Sequence, residues 1–311
     1  MKRFNSIILA ALMSVTMFAA DTQFLPISVI VDGSSEDFPQ GAKAMVENKL
    51  TQLLTRNGIA GMDFAGQFVL TATTTPLDKD VIPGPPMKVS EKMEFNLFIA
   101  DVYAKTIFST TSLTAKGIGE NENKCYLNAI RNMPLQSPQI AQFISEGKAK
   151  IIEYYDHEAP AMIKKAQVLA KQKSYEEALF IIALIPQQCQ HYDAALAAGL
   201  EIYQMHVDNE CNINLAAARQ AWAAEQNKAG AYAAGEYLAN ILPDAGCYDE
   251  AMALHKEIKS KVLDDWKFEM KKYQDGVDLE KQRIEAMRQV GVAYGSHQPQ
   301  QNTTIGFIRG L

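Results

Sequence analysis

The residues that could do chemistry in this 311-residue chain are few, and the tightest group is Asp156-His157-Glu158. Carboxylates and imidazoles bind metal ions, but three consecutive side chains point in different directions, and Pro160 follows closely. We therefore interpret this stretch as a linker with a helix N-cap. The glycines in Lys116-Gly-Ile-Gly119 precede a predicted helix, yet the third glycine of a dinucleotide-binding loop is missing, so the motif is typical of a turn.

Motifs of the common catalytic classes are missing from the sequence. It contains neither a Gly-x-Ser-x-Gly nucleophile elbow nor a His-Glu-x-x-His metal motif. Adjacent acids such as Glu176-Glu177 are ordinary on exposed helix faces. These observations predict a protein that is not an enzyme and that binds no cofactor or metal ion. A hydrolase with a site assembled from sequence-distant residues is the least favoured alternative.

The amino terminus predicts export. Met1-Lys2-Arg3 is followed by an apolar stretch over residues 7–20, which is too short to span a bilayer comfortably. We predict a signal peptide over residues 1–20, with an uncleaved anchor as the alternative because Phe18 stands where a small residue is usual. No cysteine follows the cut, so no direct lipid anchor is expected. The expected location is the periplasm or the cell envelope of a Gram-negative bacterium.

The charge balance limits the classes of partner. Without Lys2 and Arg3, the 30 basic side chains fall to 28, against 36 acidic ones. Nucleic-acid binding depends on clustered cations that neutralise phosphates, so no nucleic-acid partner is expected. The chain also has no polybasic segment for an anionic membrane surface.

Four cysteines, Cys125, Cys189, Cys211 and Cys247, would enter an oxidising compartment after export. A Cys211–Cys247 or a Cys189–Cys211 disulfide between neighbouring helical hairpins would stabilise the fold by roughly 3–4 kcal/mol. Alternatively, all four are small buried apolar residues. Spacing alone does not choose between these interpretations.

Residues 22–156 carry the alternation of an α+β sandwich. Apolar and β-branched runs predict strands at residues 24–31, 67–75, 93–103 and 106–117, and proline places residues 76–86 in an exposed loop. Periods of three and four residues predict helices from residues 37 to 57, 119 to 133 and 140 to 155.

Five short segments of this region carry a family resemblance: residues 49–58, Phe68-Val-Leu-Thr-Ala72, residues 95–108, Lys116-Gly-Ile-Gly119 and Asn128-Ala-Ile130. Together they resemble the periplasmic α/β domain of curli-secretion lipoproteins, penicillin-binding-protein activator lipoproteins and related accessory proteins, over about residues 24–155. The resemblance implies an envelope protein. Those lipoproteins carry an acylated cysteine that this chain lacks, and no binding residue can be transferred.

Residues 157–293 predict an all-α helical-repeat domain. Lys173-Ser-Tyr-Glu-Glu-Ala-Leu179 returns as Gly246-Cys-Tyr-Asp-Glu-Ala-Met252, with a weaker copy at Asn214-Leu-Ala-Ala-Ala218. The spacing is that of degenerate tetratricopeptide-like repeats, in which an aromatic residue opens the second helix and a small residue lets the paired helices approach. Such arrays bind proteins and rarely catalyse reactions.

The groove of this array is the predicted partner-binding surface. Its candidate aromatic residues are Tyr192, Tyr203, Trp222, Tyr232 and Tyr237, and its candidate cations are Arg219 and Lys228. Aromatic rings and arginine dominate binding energy at interfaces. The alternative interpretation is that most of these rings belong to the core.

A charged helix is predicted from about Met252 to Gly291, with an apolar stripe through Val262, Trp266 and Met270. It would either cap the last repeat or form a coiled-coil seam with a second copy. Residues 294–311 are predicted to be a flexible tail.

The sequence thus predicts an α+β domain at residues 22–156 and a tetratricopeptide-like domain at residues 157–293. The favoured function is a non-catalytic adaptor that binds one or more proteins at the cell envelope. The alternative is a self-assembling structural subunit, and hence a homo-oligomer; a free apolar sheet edge near residues 95–103 would favour it.

Overall fold

The computed structural model describes residues 25–31, 41–59, 66–262, 268–272 and 278–297. The predicted signal peptide and the tail beyond residue 297 lie outside the described residues. Four strands form one sheet in the order β1 (Ser28–Val29), β2 (Phe68–Ile82), β3 (Lys88–Asp101) and β4 (Thr106–Gly119). Strand β1 pairs parallel with β2, and the other neighbours pair antiparallel.

Three helices accompany the sheet: α1 (Ala42–Arg56), α2 (Glu122–Arg131) and α3 (Pro138–Lys171). The helical region continues with α4 (Tyr175–Ala183), α5 (Tyr192–Ala224), α6 (Lys228–Leu238), α7 (Tyr248–Val262) and α8 (Leu279–His297). The prediction of an α+β region followed by a helical region is confirmed. None of the helices in the described ranges is long and apolar enough to cross a membrane.

The sheet is covered by helices on one face because its side chains alternate. Met93, Phe95, Leu97 and Ile99 of β3 point to the helical side, where they join the main hydrophobic core. Residues between them on the same strand point to the other face. The helices and the sheet therefore make a two-layer α+β arrangement, which agrees with the resemblance only at this general level.

Strand β2 is longer than the sequence suggests. The prediction of a loop over residues 76–86 is wrong for residues 76–82, which pair with β3, and holds for the turn at residues 83–86. Strand β1 pairs with Val69 and Leu70, and among the described residues β2 has no further neighbour on that side. Proline has no backbone N–H, but on the outer side of an edge strand this group would not bond to a neighbouring strand. The register also shifts between Pro76 and Asp78, so the strand accommodates the proline.

The opposite edge, β4, is closed by side-chain amides. Asn128 donates to the carbonyl of Ile118 at 3.1 Å, and Asn132 donates to the carbonyl of Lys116 at 2.9 Å. Gln139 donates to the backbone of β4 in the same way, at 3.2 Å. These amides occupy carbonyls that an added strand would need. Residues 95–101 are not an edge, because β3 pairs with β2 and β4.

Helix α3 runs through the predicted linker. It runs for 34 residues through Pro160, so residues 156–158 are helical and not a linker. Proline removes one backbone hydrogen bond from a helix interior. Burial of Tyr155, Ala159 and Ala166 along one face holds the helix together on both sides of the proline. A single helix therefore joins the sheet region to the helical region.

Helix α5 is likewise continuous over 33 residues, so no second helix begins at the weaker copy of the motif, Asn214-Leu-Ala-Ala-Ala218. Its buried residues Val207, Cys211, Leu215 and Ala218 follow each other at steps of three or four, which one uninterrupted helix requires. The side chain of Asn214 donates to the carbonyl of Glu210, one turn earlier, at 2.9 Å, without interrupting the helix.

The prediction of one long helix from residue 252 to 291 is also wrong. Helix α7 ends at Val262, residues 268–272 are not helical, and α8 starts at Leu279. Helix α8 packs on α4, and a Cβ at Gly291 would lie 2.7 Å from the carbonyl oxygen of Leu179. The helix covers the first hairpin instead of the last. Trp266 lies outside the described residues.

Met270 is 5% exposed, so it is not available for a seam between copies. The first four residues of the predicted tail, 294–297, belong to α8. There the ring of Tyr294 lies 5.9 Å from the ring of Phe180 on α4.

Candidate functional site

A disulfide joins Cys211 in α5 to Cys247, which directly precedes α7, with the Cα atoms 6.0 Å apart. This is one of the two pairings that the spacing leaves open. Closing a loop of 36 residues stabilises a fold by roughly 4 kcal/mol. Cys125 and Cys189 are buried free thiols. Burial, together with the carboxyl group of Asp156, raises the pKa of Cys189 to about 12.

Two of the predicted partner-binding residues connect α5 to α7. Arg219 forms an ion pair with Glu250 at 2.7 Å. The indole N–H of Trp222 donates to a carboxylate oxygen of Glu257 at 3.0 Å, and the ring is 3% exposed. Trp222 is therefore part of the core and not available to a partner in the folded chain.

Tyr203 is also in the core, at 7% exposure. Burial and the carboxyl group of Asp244 raise the pKa of its hydroxyl, while Arg283 acts in the opposite direction. Arg283 of α8 donates to the side chain of Gln204 and lies 3.5 Å from the carboxylate of Asp244. This polar cluster ties α8 to α5. The sequence gives no sign of it, because its members are far apart along the chain.

Three of the predicted residues are exposed on helix α6. Lys228 begins the helix, and Tyr232 and Tyr237 are 52% and 41% exposed. The opposite side packs inward through small residues and Leu238: Gly230, Ala231, Ala234 and Gly235. Tyr232 and Tyr237 are five residues apart, so they lie about 140° apart around the helix axis. We call the exposed half of the helix, which carries Lys228, Tyr232 and Tyr237, the outer face of α6.

A buried polar network, which we call the junction network, lies where the sheet meets the helical region. The amide nitrogen of Gln67 lies 3.1 Å from Oδ2 of Asp101, 2.6 Å from the hydroxyl of Tyr155 and 2.9 Å from the carbonyl oxygen of Leu184. The hydroxyl of Tyr155 donates to the same Asp101 oxygen. The other oxygen, Oδ1, accepts from two backbone N–H groups, of Tyr103 and Ala104, both at 2.8 Å.

The junction network connects four parts of the chain: the residue before β2, the end of β3, the middle of α3 and the end of α4. Asp101 is fully buried, and its carboxylate is surrounded by donors, as a buried charge requires. Burial and the neighbouring carboxylate raise the pKa of Tyr155 above its ordinary value, so its hydroxyl remains a donor.

Beside this network lies a cavity of about 300 Å³, which we call the junction cavity. It is bounded by the start of β2, the end of α4, the start of α5 and the middle of α8. Tyr192, a predicted partner-binding residue, lines it, and so does Arg288, which the sequence analysis does not single out. The apolar part of the lining includes Phe68, Ile182, Ile185, Leu196 and Met287.

The described lining of this cavity combines polar and apolar side chains. Its lining has amide groups, one phenol and one guanidinium among apolar side chains, and it contains no carboxylate, imidazole or thiol from the described residues. No group of three or more histidine, cysteine, aspartate or glutamate side chains in the described ranges could hold a metal ion.

Comparisons with known proteins place the chain in no family. No family model and no curated protein matches it. Among solved structures, a minor lipoprotein from Acinetobacter baumannii is similar over 40% of this chain and 91% of its own, at 20% identity and a TM-score of 0.24. A likeness this weak carries no argument about function.

Proposed function

We propose that this chain is a non-catalytic protein of the bacterial cell envelope that binds another protein through the outer face of α6. The observation that carries the proposal is the exposure of Tyr232 and Tyr237 on a helix whose other side is held close to its neighbour. Neither ring packs on another aromatic ring within the described part of the chain.

The inner side of α6 explains why the rings are presented rigidly. A Cβ at Gly230 would lie 1.7 Å from the carbonyl oxygen of Glu225, so only glycine permits this approach at the start of the helix. Ala231 and Ala234 are fully buried against the neighbouring helix. Tyrosines on a rigid helix lose little conformational entropy on binding, and they supply both apolar area and a hydroxyl group.

The cell-envelope part of the proposal rests on the predicted signal peptide. The disulfide between Cys211 and Cys247 fits the same location, because disulfides persist in oxidising compartments. We also propose that α4 and α7 are the second helices of tetratricopeptide-like hairpins. Each begins at the tyrosine of the repeated motif, and the alanine of each motif, Ala178 or Ala251, is fully buried.

A photo-crosslinking experiment tests the α6 surface. The photoreactive residue p-benzoylphenylalanine is placed at Tyr232 and, as the control, at Lys150, an exposed position of α3. We expect irradiation of cells to join the chain to one defined protein from position 232 and not from position 150. The crosslink should weaken in the Tyr237→Ala background. Identical crosslinks from both positions, or none from position 232, would contradict the proposal.

A further inference from the structure

We propose that the junction cavity binds a small apolar carboxylate, a ligand with an aliphatic part and one terminal carboxylate group. This inference concerns a different surface from the outer face of α6 and does not depend on the protein-binding proposal. Three features of the cavity support it: its apolar walls, its single cation and its fixed shape.

The walls define the apolar part of the ligand. The side chains of Phe68, Ile182, Ile185, Leu196 and Met287 form the apolar part of its lining. Ligand pockets typically range from about 300 to 1,000 Å³ and are mostly apolar with a few placed polar groups. At about 300 Å³ the junction cavity suits a small ligand, such as a short aliphatic chain or one apolar amino-acid side chain.

Two arginines of α8 show why the ligand should carry a negative charge. Arg283 has partners within the fold, since it donates to Gln204 and forms an ion pair with Asp244. Arg288 lines the cavity and is half-buried, and its guanidinium has no ion pair or hydrogen bond with any of the described residues. A half-buried guanidinium with free N–H groups can gain charge-assisted hydrogen bonds from a carboxylate that enters the cavity.

The geometry of arginine selects the carboxylate. Its planar guanidinium offers two parallel N–H groups that match the two oxygens of a carboxylate. The hydroxyl of Tyr192, on the same lining, is a further donor. The described lining provides no second cation, which a phosphate dianion would call for, and no carboxylate that would repel the ligand.

The junction network fixes the shape of the cavity before a ligand arrives. Gln67 belongs to both, since it lines the cavity and its amide donates to the backbone carbonyl of Leu184 at the end of α4. The cavity is therefore preformed, which limits the ordering cost of binding.

Isothermal titration of the chain without residues 1–20 tests the proposal. The probes are octanoate, which represents a fatty acid, and N-acetyl-leucine, which represents the carboxyl end of a peptide. We expect one of these carboxylates to bind, and the one that binds more tightly identifies the source. 1-Octanol, which has the chain without the charge, should bind at least about tenfold more weakly than octanoate if octanoate is the ligand.

Variants of α8 test whether the positive charge of Arg288 determines binding. Arg288→Gln should weaken binding of the carboxylate at least about tenfold, and Arg288→Lys should fall between the two. The matched control is Lys281→Gln, which removes a positive charge from an exposed position of the same helix and should bind as the unmodified chain does. Failure of both carboxylates to bind the unmodified chain, or unchanged binding by Arg288→Gln, would overturn the proposal.

A second variant tests the place of binding. Leu196→Trp should fill the cavity and abolish binding of the carboxylate, while circular dichroism shows the same helix content. Leu196 is only partly buried, so the larger ring can be accommodated without loss of the fold. Undiminished binding by this variant would show that the carboxylate lies elsewhere.

Discussion

The junction network and the junction cavity lie side by side and share Gln67. They differ in the hydrogen bonding of their charged groups. In the network, both oxygens of the buried Asp101 carboxylate accept hydrogen bonds from the fold itself. In the cavity, the guanidinium of Arg288 has no partner among the described residues. The two regions differ in whether the protein has already satisfied its own polar groups.

This difference separates a structural role from a binding role. A charge whose hydrogen bonds are all made within the fold contributes to stability, and its loss leaves donors unsatisfied. A charge without a partner contributes little to stability, but it can gain from a ligand. The comparison therefore predicts large effects on stability in the network and large effects on binding in the cavity.

The largest effect is expected from Asp101→Ala. The change would leave the Tyr155 hydroxyl and two backbone N–H groups, of Tyr103 and Ala104, without the carboxylate that accepts from them. Hydrogen bonds to charged groups contribute about 1.5–3 kcal/mol each, and losing several should lower the free energy of unfolding by about 3–5 kcal/mol. Denaturant unfolding measures this value. The control is Asp80→Ala on the exposed part of β2, where a change of within about 0.5 kcal/mol is expected. Equal effects of the two variants would break the comparison.

A smaller effect is expected from Tyr155→Phe. The ring would still pack edge-to-face on Phe68, at 5.8 Å between centroids, but its hydrogen bond to Asp101 would be lost. We expect the free energy of unfolding to fall by about 1.5–3 kcal/mol. A double-mutant cycle with Asp101→Ala should show strong coupling, because both changes remove the same bond. Additive effects would mean that the bond contributes nothing.

The smallest expected effect is the alkylation of the two free thiols, Cys125 and Cys189, in the folded chain. Cys189 follows directly on the cavity-lining segment before α5, but burial raises its pKa to about 12, and burial also raises the pKa of Cys125. Iodoacetamide at about pH 8 should therefore modify neither thiol in the folded chain. Mass spectrometry should find two modified cysteines after unfolding and four once a reductant is added. Rapid modification of Cys189 in the folded chain would show that this side of the junction is open.

Much of the fold could be predicted from local patterns. The alternation in residues 93–103 predicted most of β3, and the three- and four-residue steps around Leu50 predicted α1. Prediction failed where packing over long distances decides continuity. Taken alone, Pro160 predicts the end of a helix, but buried residues on both sides of it keep α3 continuous. The weaker copy of the motif at Asn214 predicted the start of a second helix, although the buried residues of α5 continue on both sides of it.

The candidate site was harder to predict for the same reason. Arg283 and Arg288 are equivalent in the sequence, because both are cations on a charged helix. Only the fold shows that Arg283 donates a hydrogen bond to Gln204, 79 residues away, and that Arg288 does not. The junction network was not visible either, since Gln67 and Tyr155 are separated by 88 residues. Of the predicted aromatic residues, Tyr192 lines the cavity and Tyr232 and Tyr237 remain exposed, while Tyr203 and Trp222 are core residues.

The most direct test of this account is the thermal unfolding of the unmodified chain and of Arg288→Gln, each with and without the carboxylate that binds. Without ligand the two midpoints should agree, because the guanidinium of Arg288 forms no ion pair or hydrogen bond with the described residues and glutamine keeps much of the side-chain stem. With ligand the midpoint of the unmodified chain should rise, since binding to the folded state stabilises it, and that of the variant should not. A variant that is clearly less stable without ligand, or that gains as much stability from the ligand, would contradict the division of the junction into a structural half and a binding half.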